Sequence, residues 1–156
     1  MKTVLGFVCW LGIVFVAAWV GSRSMPGEWY ASLAKPFWNP PNWLFGPVWS
    51  VLYVFMGVAA WLVWRRAGFS GAGLALVLFL AQLVLNALWS YLFFGHHRPD
   101  LALFDIAALW TTIVLVTVLF WRVHRGAGWM MVPYVAWVGF ASFINFTLWR
   151  LNPVGR

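Results

Sequence analysis

The sequence predicts an all-α integral membrane protein, folded as a bundle of five transmembrane helices with a structured first loop rich in proline and tryptophan. Two observations support this fold class: the composition and the number of long apolar runs. Of the 156 residues, 64% are hydrophobic and only 8% are charged, whereas soluble domains carry about 25% charged residues. A transmembrane helix needs about 20 mainly apolar residues, while a β-barrel would show short alternating segments. The apolar runs of this chain are long and do not alternate.

Five stretches are long and apolar enough to cross a membrane, and we expect them to form a single domain over residues 1–156. The predicted spans are approximately 3–21, 44–64, 71–95, 101–121 and 127–149. The first span resembles a signal peptide, because Lys2 precedes an apolar core. It extends to Trp19, however, without a small-residue cleavage site before a polar mature domain. The later connections are short, which makes neighbouring helices antiparallel.

The long connection between the first two spans, residues 22–43, differs from the others in composition. A disordered linker would be polar, but this segment is rich in rings and prolines. These residues are Pro26, Trp29, Tyr30, Pro36, Phe37, Trp38, Pro40, Pro41 and Trp43. Because long structured loops in compact proteins are usually functional, we expect this segment to fold back as a lid over one end of the bundle.

The basic residues exclude one function class and leave the membrane orientation open. A net charge of +7 would suggest nucleic-acid binding in a soluble protein. Here the Lys and Arg residues stand singly or in pairs at the ends of apolar runs. They are interpreted as headgroup charges, and no nucleic-acid partner is predicted. Because five basic residues fall on each side of the membrane, the positive-inside rule gives no orientation.

No pattern typical of an enzyme or a metal site is found in the sequence. There is no His/Ser/Asp set, no carboxylate pair and no glycine-rich phosphate loop. His96 and His97 lack a third ligand at a suitable spacing, and Cys9 stands alone in an apolar run, so no metal site is expected. Asp105 lies one turn inside the fourth span, where the alternatives are a structural role and a pair with a base such as Arg98.

Three spans each carry an aromatic residue one turn away from a small, polar or second aromatic residue. The pairs are Trp49 with Tyr53, Asn86 with Trp89 on a face that begins at Gln82, and Trp137 with Ala141 on a face that ends at Asn145. Such residues commonly join helices to one another in membranes, so packing is one interpretation. The other is that these faces enclose a flat, mostly apolar ligand with a few polar groups.

The long loop carries the most specific motif of the chain. Residues 29–41 read WYASLAKPFWNPP and resemble the signature W-Y-x-x-L-x-K-P-x-W-x-P-P of the tryptophan-rich sensory protein / translocator protein family, also called the peripheral-type benzodiazepine receptor family. The segments 47–53, 82–95 and 132–137 resemble the second, third and fifth helices of that family. The resemblance covers nearly the whole chain and agrees with the five-span layout.

This resemblance implies a ligand pocket that lies among the helices and under the first loop. The family binds porphyrins, including haem and protoporphyrin, and synthetic isoquinoline and benzodiazepine ligands. The predicted ligand-binding residues are Tyr30, Pro41, Trp49, Tyr53, Asn86, Trp89, Trp137 and Ala141. Porphyrin is expected as a ligand, with no required cofactor, and the expected function is a receptor or sensor that regulates tetrapyrrole metabolism or traffic.

Two alternative functions remain open. Some bacterial members of the family promote light-dependent porphyrin breakdown through pocket tryptophans, a role that would carry over to Trp49 and Trp137. The other alternative is transport of porphyrin or sterol, although the sequence lacks the repeats typical of secondary transporters. The sterol motif of animal members needs a tyrosine where this chain has Phe146, so tight cholesterol binding is not predicted.

The resemblance also implies a homodimer surrounded by membrane lipid, and the expected location is a bacterial membrane that the chain crosses several times. Small residues permit close contact between helices. The stretches 71–73 and 57–61 provide such residues and are the candidates for contact between two copies.

Overall fold

The computed structural model describes residues 2–153, and within them every regular element is a helix. The elements are α1 (Lys2–Ser22), α2 (Glu28–Ser32), α3 (Asn42–Ser90), a π-helical turn (Tyr91–Gly95), α4 (Pro99–Val123) and α5 (Arg125–Leu151). Lipid offers no hydrogen-bond partner to a backbone amide, so apolar runs of this length satisfy their polar groups internally as helices. The predicted all-α fold class is confirmed.

Helix α3 contains two of the predicted spans, and it is broken between them. Gly68 has a φ of 60° and Ala72 has a φ of −131°, so the backbone leaves the helical region at both residues. The first position needs a glycine, because a side chain would be strained at a positive φ. The two segments, residues 42–67 and 73–90, run antiparallel: Tyr53 bonds to Asn86, whereas Met56, further along the first segment, bonds to the earlier residue Gln82.

The outer surface of the bundle suits lipid rather than water. Within residues 2–153, four continuous helices are long and apolar enough to cross a membrane, and the longest of them contains the α3 hairpin. Large apolar side chains point outward along them, including Phe104 at 77% exposure and Phe143 at 70%. In water such surfaces would drive aggregation, but in a bilayer they contact acyl chains.

Close packing between helices holds the interior together. A Cβ atom added at Gly57 of α3 would lie 2.6 Å from the Leu11 side chain and 3.3 Å from the Leu11 Cα atom of α1. The second α3 segment packs against α4, where the rings of Phe79 and Phe120 stack with their centroids 5.6 Å apart. The stretch 57–61 is therefore in contact with α1 of the same chain, where the sequence suggested contact between two copies.

The first loop is ordered and covers one end of the bundle. Its short helix α2 buries Tyr30, which is only 2% exposed. The neighbouring ring of Trp29 stacks on His97 at 4.3 Å and meets Phe93 edge-on at 5.7 Å. These contacts join the loop to the π-helical turn, so the predicted structured loop is confirmed.

The fourth span contains a carboxylate that is not paired in the way the sequence allowed. Arg98 bonds to both carboxylate oxygens of Asp100, with Nε to Oδ1 at 2.8 Å and Nη2 to Oδ2 at 2.6 Å. Asp105 is 8% exposed, and its Oδ2 has no hydrogen-bond partner among residues 2–153. The suggested pair between Asp105 and Arg98 is wrong, because Asp100 lies only two residues from Arg98 and occupies its guanidinium.

Candidate ligand-binding site

A cavity of about 420 Å³ lies between the end of α1, the start of the first loop and both ends of α3. Binding sites for small molecules usually measure about 300–1,000 Å³ and are mostly apolar. The residues that line it are Phe15, Ala18, Trp19, Gly21, Ser22, Ser24, Met25, Pro26, Phe45, Gly46, Trp49, Ser50, Tyr53, Trp89, Ser90 and Phe94. We call this space the main cavity.

Three of the predicted ligand-binding residues, Trp49, Tyr53 and Trp89, line the main cavity. The rings of Trp49 and Tyr53 stack at 5.4 Å, because one helical turn of α3 separates them. Tyr134 of α5 meets Trp49 edge-on, with ring centroids 6.1 Å apart. The Trp49 indole is therefore in contact with two tyrosine rings and also lines the cavity.

A chain of buried hydrogen bonds runs from the main cavity into the middle of the bundle. The Tyr53 hydroxyl donates to Asn86 Oδ1 at 2.8 Å, and Asn86 Nδ2 donates to the Tyr134 hydroxyl at 3.0 Å. The Tyr134 hydroxyl in turn donates to Gln82 Oε1 at 2.8 Å. Asn86 is 3% exposed and does not line the main cavity. In this arrangement the amide joins three helical segments, which is the packing interpretation of that residue.

A second, much smaller void of about 20 Å³ lies directly under the first loop. It brings together Tyr30, Trp89 and Ala141, all predicted ligand-binding residues, with Asn145 beside them. Trp89 lines this void and the main cavity, and so do Phe45 and Phe94. The predicted site is thus divided into two compartments by aromatic side chains.

Three predicted residues lie outside both compartments: Asn86, described above, and Trp137 and Pro41. Trp137 lines an open, apolar groove of about 620 Å³ between the first α3 segment and α5, together with Pro47, Pro133 and Phe140. Its indole Nε1 is buried and has no acceptor in the described part of the chain. Pro41 is exposed at the start of α3 and lines none of these three spaces. Trp49 and Trp137, the two tryptophans to which a role in porphyrin breakdown would carry over, therefore do not share a cavity.

Two cations lie on aromatic rings that belong to the first loop or to the wall of the main cavity. The Arg23 guanidinium sits 4.5 Å from the centroid of Trp19, a residue that lines the main cavity. The Lys35 ammonium sits 4.8 Å from the centroid of Tyr30. Burial raises the pKa of the Tyr30 phenol, and the hydrogen bond to Asn39 opposes that shift. Positive charge is therefore available at the rim of an aromatic cavity, where an anionic substituent of a ligand would meet it.

The end of α1 and the start of the first loop contribute to this site, although the sequence did not predict their contribution. Trp19 ends the first span, and tryptophan at that position is usually interpreted as an interface anchor. Ser24 and Ser90 also line the main cavity, but α2 and nearly all of α3 lie between them in sequence. The sequence does contain one indication of this cavity wall. Ala18, Gly21 and Ser22 are small residues about one helical turn apart, next to Trp19 at the end of α1.

Comparison with known proteins shows which family the chain belongs to. Residues 6–150 match the model of the TspO/MBR family. The tryptophan-rich protein TspO of Chlorobaculum tepidum is 42% identical over 97% of this chain and 99% of its own length. Protein CrtK of Rhodobacter capsulatus is 44% identical over 85% of this chain and 84% of its own. The human translocator protein is 39% identical over 88% of this chain and 84% of its own length. The chain therefore belongs to the TspO/MBR family of integral membrane proteins, which includes tryptophan-rich sensory proteins and translocator proteins.

Proposed function

We propose that this protein binds a porphyrin in the main cavity and acts as a membrane sensor or regulator of tetrapyrrole metabolism or traffic. The observation that carries the proposal is the composition of the cavity wall: three indoles, Trp19, Trp49 and Trp89, surround one space, and a cation, Arg23, lies on the outermost of them. Flat π-systems stack favourably on such rings.

The two chemical features of a porphyrin match the two ends of the cavity. The macrocycle is flat and apolar, and it would lie against Trp49 and Trp89 in the apolar interior. The carboxylates of haem and protoporphyrin would lie toward Arg23 and Lys35 at the loop end. An ion pair at this exposed rim adds orientation more than affinity, because water screens it.

The test of this proposal is a titration of purified protein in detergent with protoporphyrin, followed by quenching of the porphyrin fluorescence. Trp49→Ala removes a stacking contact that contributes about 0.5–1.5 kcal/mol, so the Kd should rise about two- to tenfold. Trp129→Ala is the matched control, because Trp129 is 62% exposed and lines none of the three spaces. Equal affinity of wild type and Trp49→Ala would remove the cavity as the porphyrin site.

A second titration tests the orientation of the ligand. Arg23→Gln should raise the Kd for protoporphyrin roughly threefold, which is the size of effect expected for an exposed ion pair. The same variant should bind the dimethyl ester of protoporphyrin as wild type does, because the ester has no carboxylate. If Arg23→Gln weakens the acid and the ester equally, the guanidinium contributes only through its packing on Trp19.

One observation favours light-dependent porphyrin breakdown as a second candidate function. Trp49 lines the cavity and has tyrosine rings at 5.4 and 6.1 Å, so an oxidised indole there would have nearby electron donors. Trp137 lines a different space, which favours Trp49 for this role. The test is product formation under light with Trp49→Phe. Products identical to those of free porphyrin in detergent would exclude an enzymatic role.

The proposal places the protein in a bacterial membrane as a multi-pass homodimer. The exposed hairpin residue Gly71 is free for contact with a second copy, whereas Gly57 is covered by α1. Cross-linking in native membranes through a cysteine placed at position 71 tests the dimer, and a failure to cross-link there would exclude this face.

A further inference from the structure

Ser90, the last residue of α3, lines the main cavity, and its hydroxyl has no hydrogen-bond partner in the described part of the chain. Hydroxyls inside helices commonly donate to the carbonyl four residues earlier, as Thr111, Ser142 and Thr147 do here. The fully buried polar atoms that lack a partner within residues 2–153 belong to other side chains, so the Ser90 hydroxyl is accessible. A ligand in the main cavity therefore meets a free donor at this position.

Tyr53 places a second polar oxygen beside this hydroxyl. A Cβ atom added at Gly21 would lie 3.6 Å from Ser90 Oγ and 4.0 Å from Tyr53 Oη, so both oxygens are near the same point of α1. The Tyr53 hydroxyl already donates its proton to Asn86 Oδ1 at 2.8 Å, and a phenol has only one proton to donate. Tyr53 Oη is therefore left as an acceptor beside the free donor of Ser90.

This arrangement is complementary to one particular edge of a flat ligand. In a lactam, a C=O group and an N–H group are neighbours on the rim of a ring. The carbonyl would accept from Ser90 Oγ, and the N–H would donate to Tyr53 Oη. The face of the same ring would lie against Trp49, which stacks on Tyr53 one helical turn away. The macrocycle rim of haem or protoporphyrin has no such edge.

We propose that the main cavity also binds flat lactams and recognises their C=O and N–H groups through Ser90 and Tyr53. This inference rests on the proposed function, because that function makes the main cavity the ligand site, and it adds a second class of ligand. A porphyrin does not need the free donor, since the Ser90 hydroxyl can turn to the carbonyl of Asn86, as Ser142 donates to that of Val138. The two classes of ligand therefore depend on different polar groups of one cavity.

The experiment compares three flat two-ring probes of similar size. The first, 2-quinolone, has both lactam groups, 1-methyl-2-quinolone keeps the carbonyl without the N–H, and naphthalene has neither. Ser90→Ala removes the donor, so the Kd of both quinolones should rise about fivefold and that of naphthalene should stay within about twofold. Tyr53→Phe removes the acceptor, so the Kd of 2-quinolone should rise about fivefold and the other two should stay within about twofold. Equilibrium dialysis in one detergent gives each Kd relative to wild type.

Ser142→Ala is the matched control for the loss of a hydroxyl. Ser142 bonds within its own helix and lines none of the three spaces, so this variant should bind all three probes as wild type does. Equal changes for the three probes in Ser90→Ala would overturn the inference, because the effect would not depend on the lactam groups. The same holds if Tyr53→Phe weakens both quinolones equally.

Gly21→Ala tests the same point from α1 with the two oxygens left in place. The added Cβ atom would be in ordinary van der Waals contact with Ser90 Oγ and Tyr53 Oη, so the fold should be kept while the methyl group covers both. The Kd of 2-quinolone should rise about tenfold. Gly12→Ala is the control on the same helix, because its Cβ atom would have no neighbour within 4 Å among the residues that the structure describes. Equal 2-quinolone affinity of these two variants would contradict the proposal.

Protoporphyrin separates this inference from the proposed function. Ser90→Ala should bind protoporphyrin with a Kd within about twofold of wild type, whereas Trp49→Ala should bind it more weakly. If wild-type protein does not bind protoporphyrin, the proposed function fails, and the three probes still decide the inference. A direct readout is the infrared C=O stretch of bound ¹³C-labelled 2-quinolone, which a hydrogen bond lowers. The band should move to higher wavenumber in Ser90→Ala, and an unchanged band would exclude Ser90 as the donor.

Discussion

Asn152 pairs its side-chain amide with both backbone groups of Ala34, although 118 residues separate the two in sequence. The Ala34 amide donates to Asn152 Oδ1 at 2.9 Å, and Asn152 Nδ2 donates to the Ala34 carbonyl at 3.0 Å. The same nitrogen also bonds to the carbonyl of Leu148, in the last turn of α5. The end of the last helix therefore fixes the loop that covers the ligand site.

Replacement of Asn152 should release the loop and leave the bundle intact. Asn152→Ala removes the two bonds to Ala34, which together contribute about 1–2 kcal/mol. We expect faster hydrogen exchange of the backbone amides of residues 30–38, with little change in the exchange of α4. Asn152→Asp should give an intermediate result, because a carboxylate accepts from the Ala34 amide but cannot donate to its carbonyl. Equal exchange in all three proteins would show that the loop is held elsewhere.

The two tyrosines of the buried hydrogen-bond chain should differ in their effect on stability. The Tyr134 hydroxyl makes two bonds, from Asn86 and to Gln82, whereas the Tyr53 hydroxyl makes one and lines the main cavity. Tyr134→Phe leaves two buried partners unsatisfied and should cost about 2–4 kcal/mol, while Tyr53→Phe should cost about 1 kcal/mol. Thermal unfolding in detergent measures the order, and a larger loss for Tyr53→Phe would contradict it.

The carboxylate of Asp105, whose Oδ2 has no hydrogen-bond partner within residues 2–153, should lower the stability of the bundle. A buried polar atom without a partner carries a desolvation cost of about 1–3 kcal/mol. Asp105→Leu fills a similar volume and should raise the midpoint of thermal unfolding, and Asp105→Asn should raise it less. Asp100→Asn is the control, because Asp100 is paired with Arg98 and its change should not stabilise. A lower midpoint for Asp105→Leu would indicate a partner for the carboxylate that the fold does not reveal.

The sequence predicts the helical segments well because the signal is physical and local. An apolar run of about 20 residues has one stable conformation in lipid, and the break near Gly68 falls between two predicted spans. It is harder to predict which residues on the inner side of each helix line a cavity. Spacing places Asn86 and Trp89 on one face of α3, and both do turn inward, but it does not say which one reaches a cavity.

The neighbours of each face depend on how the helices are arranged, which periodicity does not encode. Trp137 and Trp49 lie on helices in contact, yet the first lines a lateral groove and the second the main cavity. The role of Trp19 was missed for the same reason, since an aromatic residue at a span end indicates the membrane interface whether or not a cavity lies beside it. Only the loop motif indicated which end of the bundle carries the site.

Gly57 should be essential for the contact between α1 and α3, because the added methyl group of Gly57→Ala would lie 2.6 Å from Leu11 Cδ2 and 3.3 Å from Leu11 Cα. The side chain of Leu11 can move, but its backbone cannot move without shifting α1. Overpacking of this kind typically costs about 1–3 kcal/mol. Thermal unfolding of the purified protein should therefore show a lower midpoint for Gly57→Ala.

Gly12→Ala is the matched control for this prediction, since a Cβ atom at Gly12 of α1 would have no neighbour within 4 Å in the part of the chain that the structure describes. Both substitutions raise helix propensity by the same amount, up to about 1 kcal/mol, so their difference measures the helix contact alone. A loss of stability confined to Gly57→Ala, with no change in the mass of the purified particle, would locate this stretch inside one chain. Equal midpoints together with dissociation of a dimer would instead show that the stretch 57–61 forms the contact between two copies. In that case the added methyl group would act outside the α1–α3 interface.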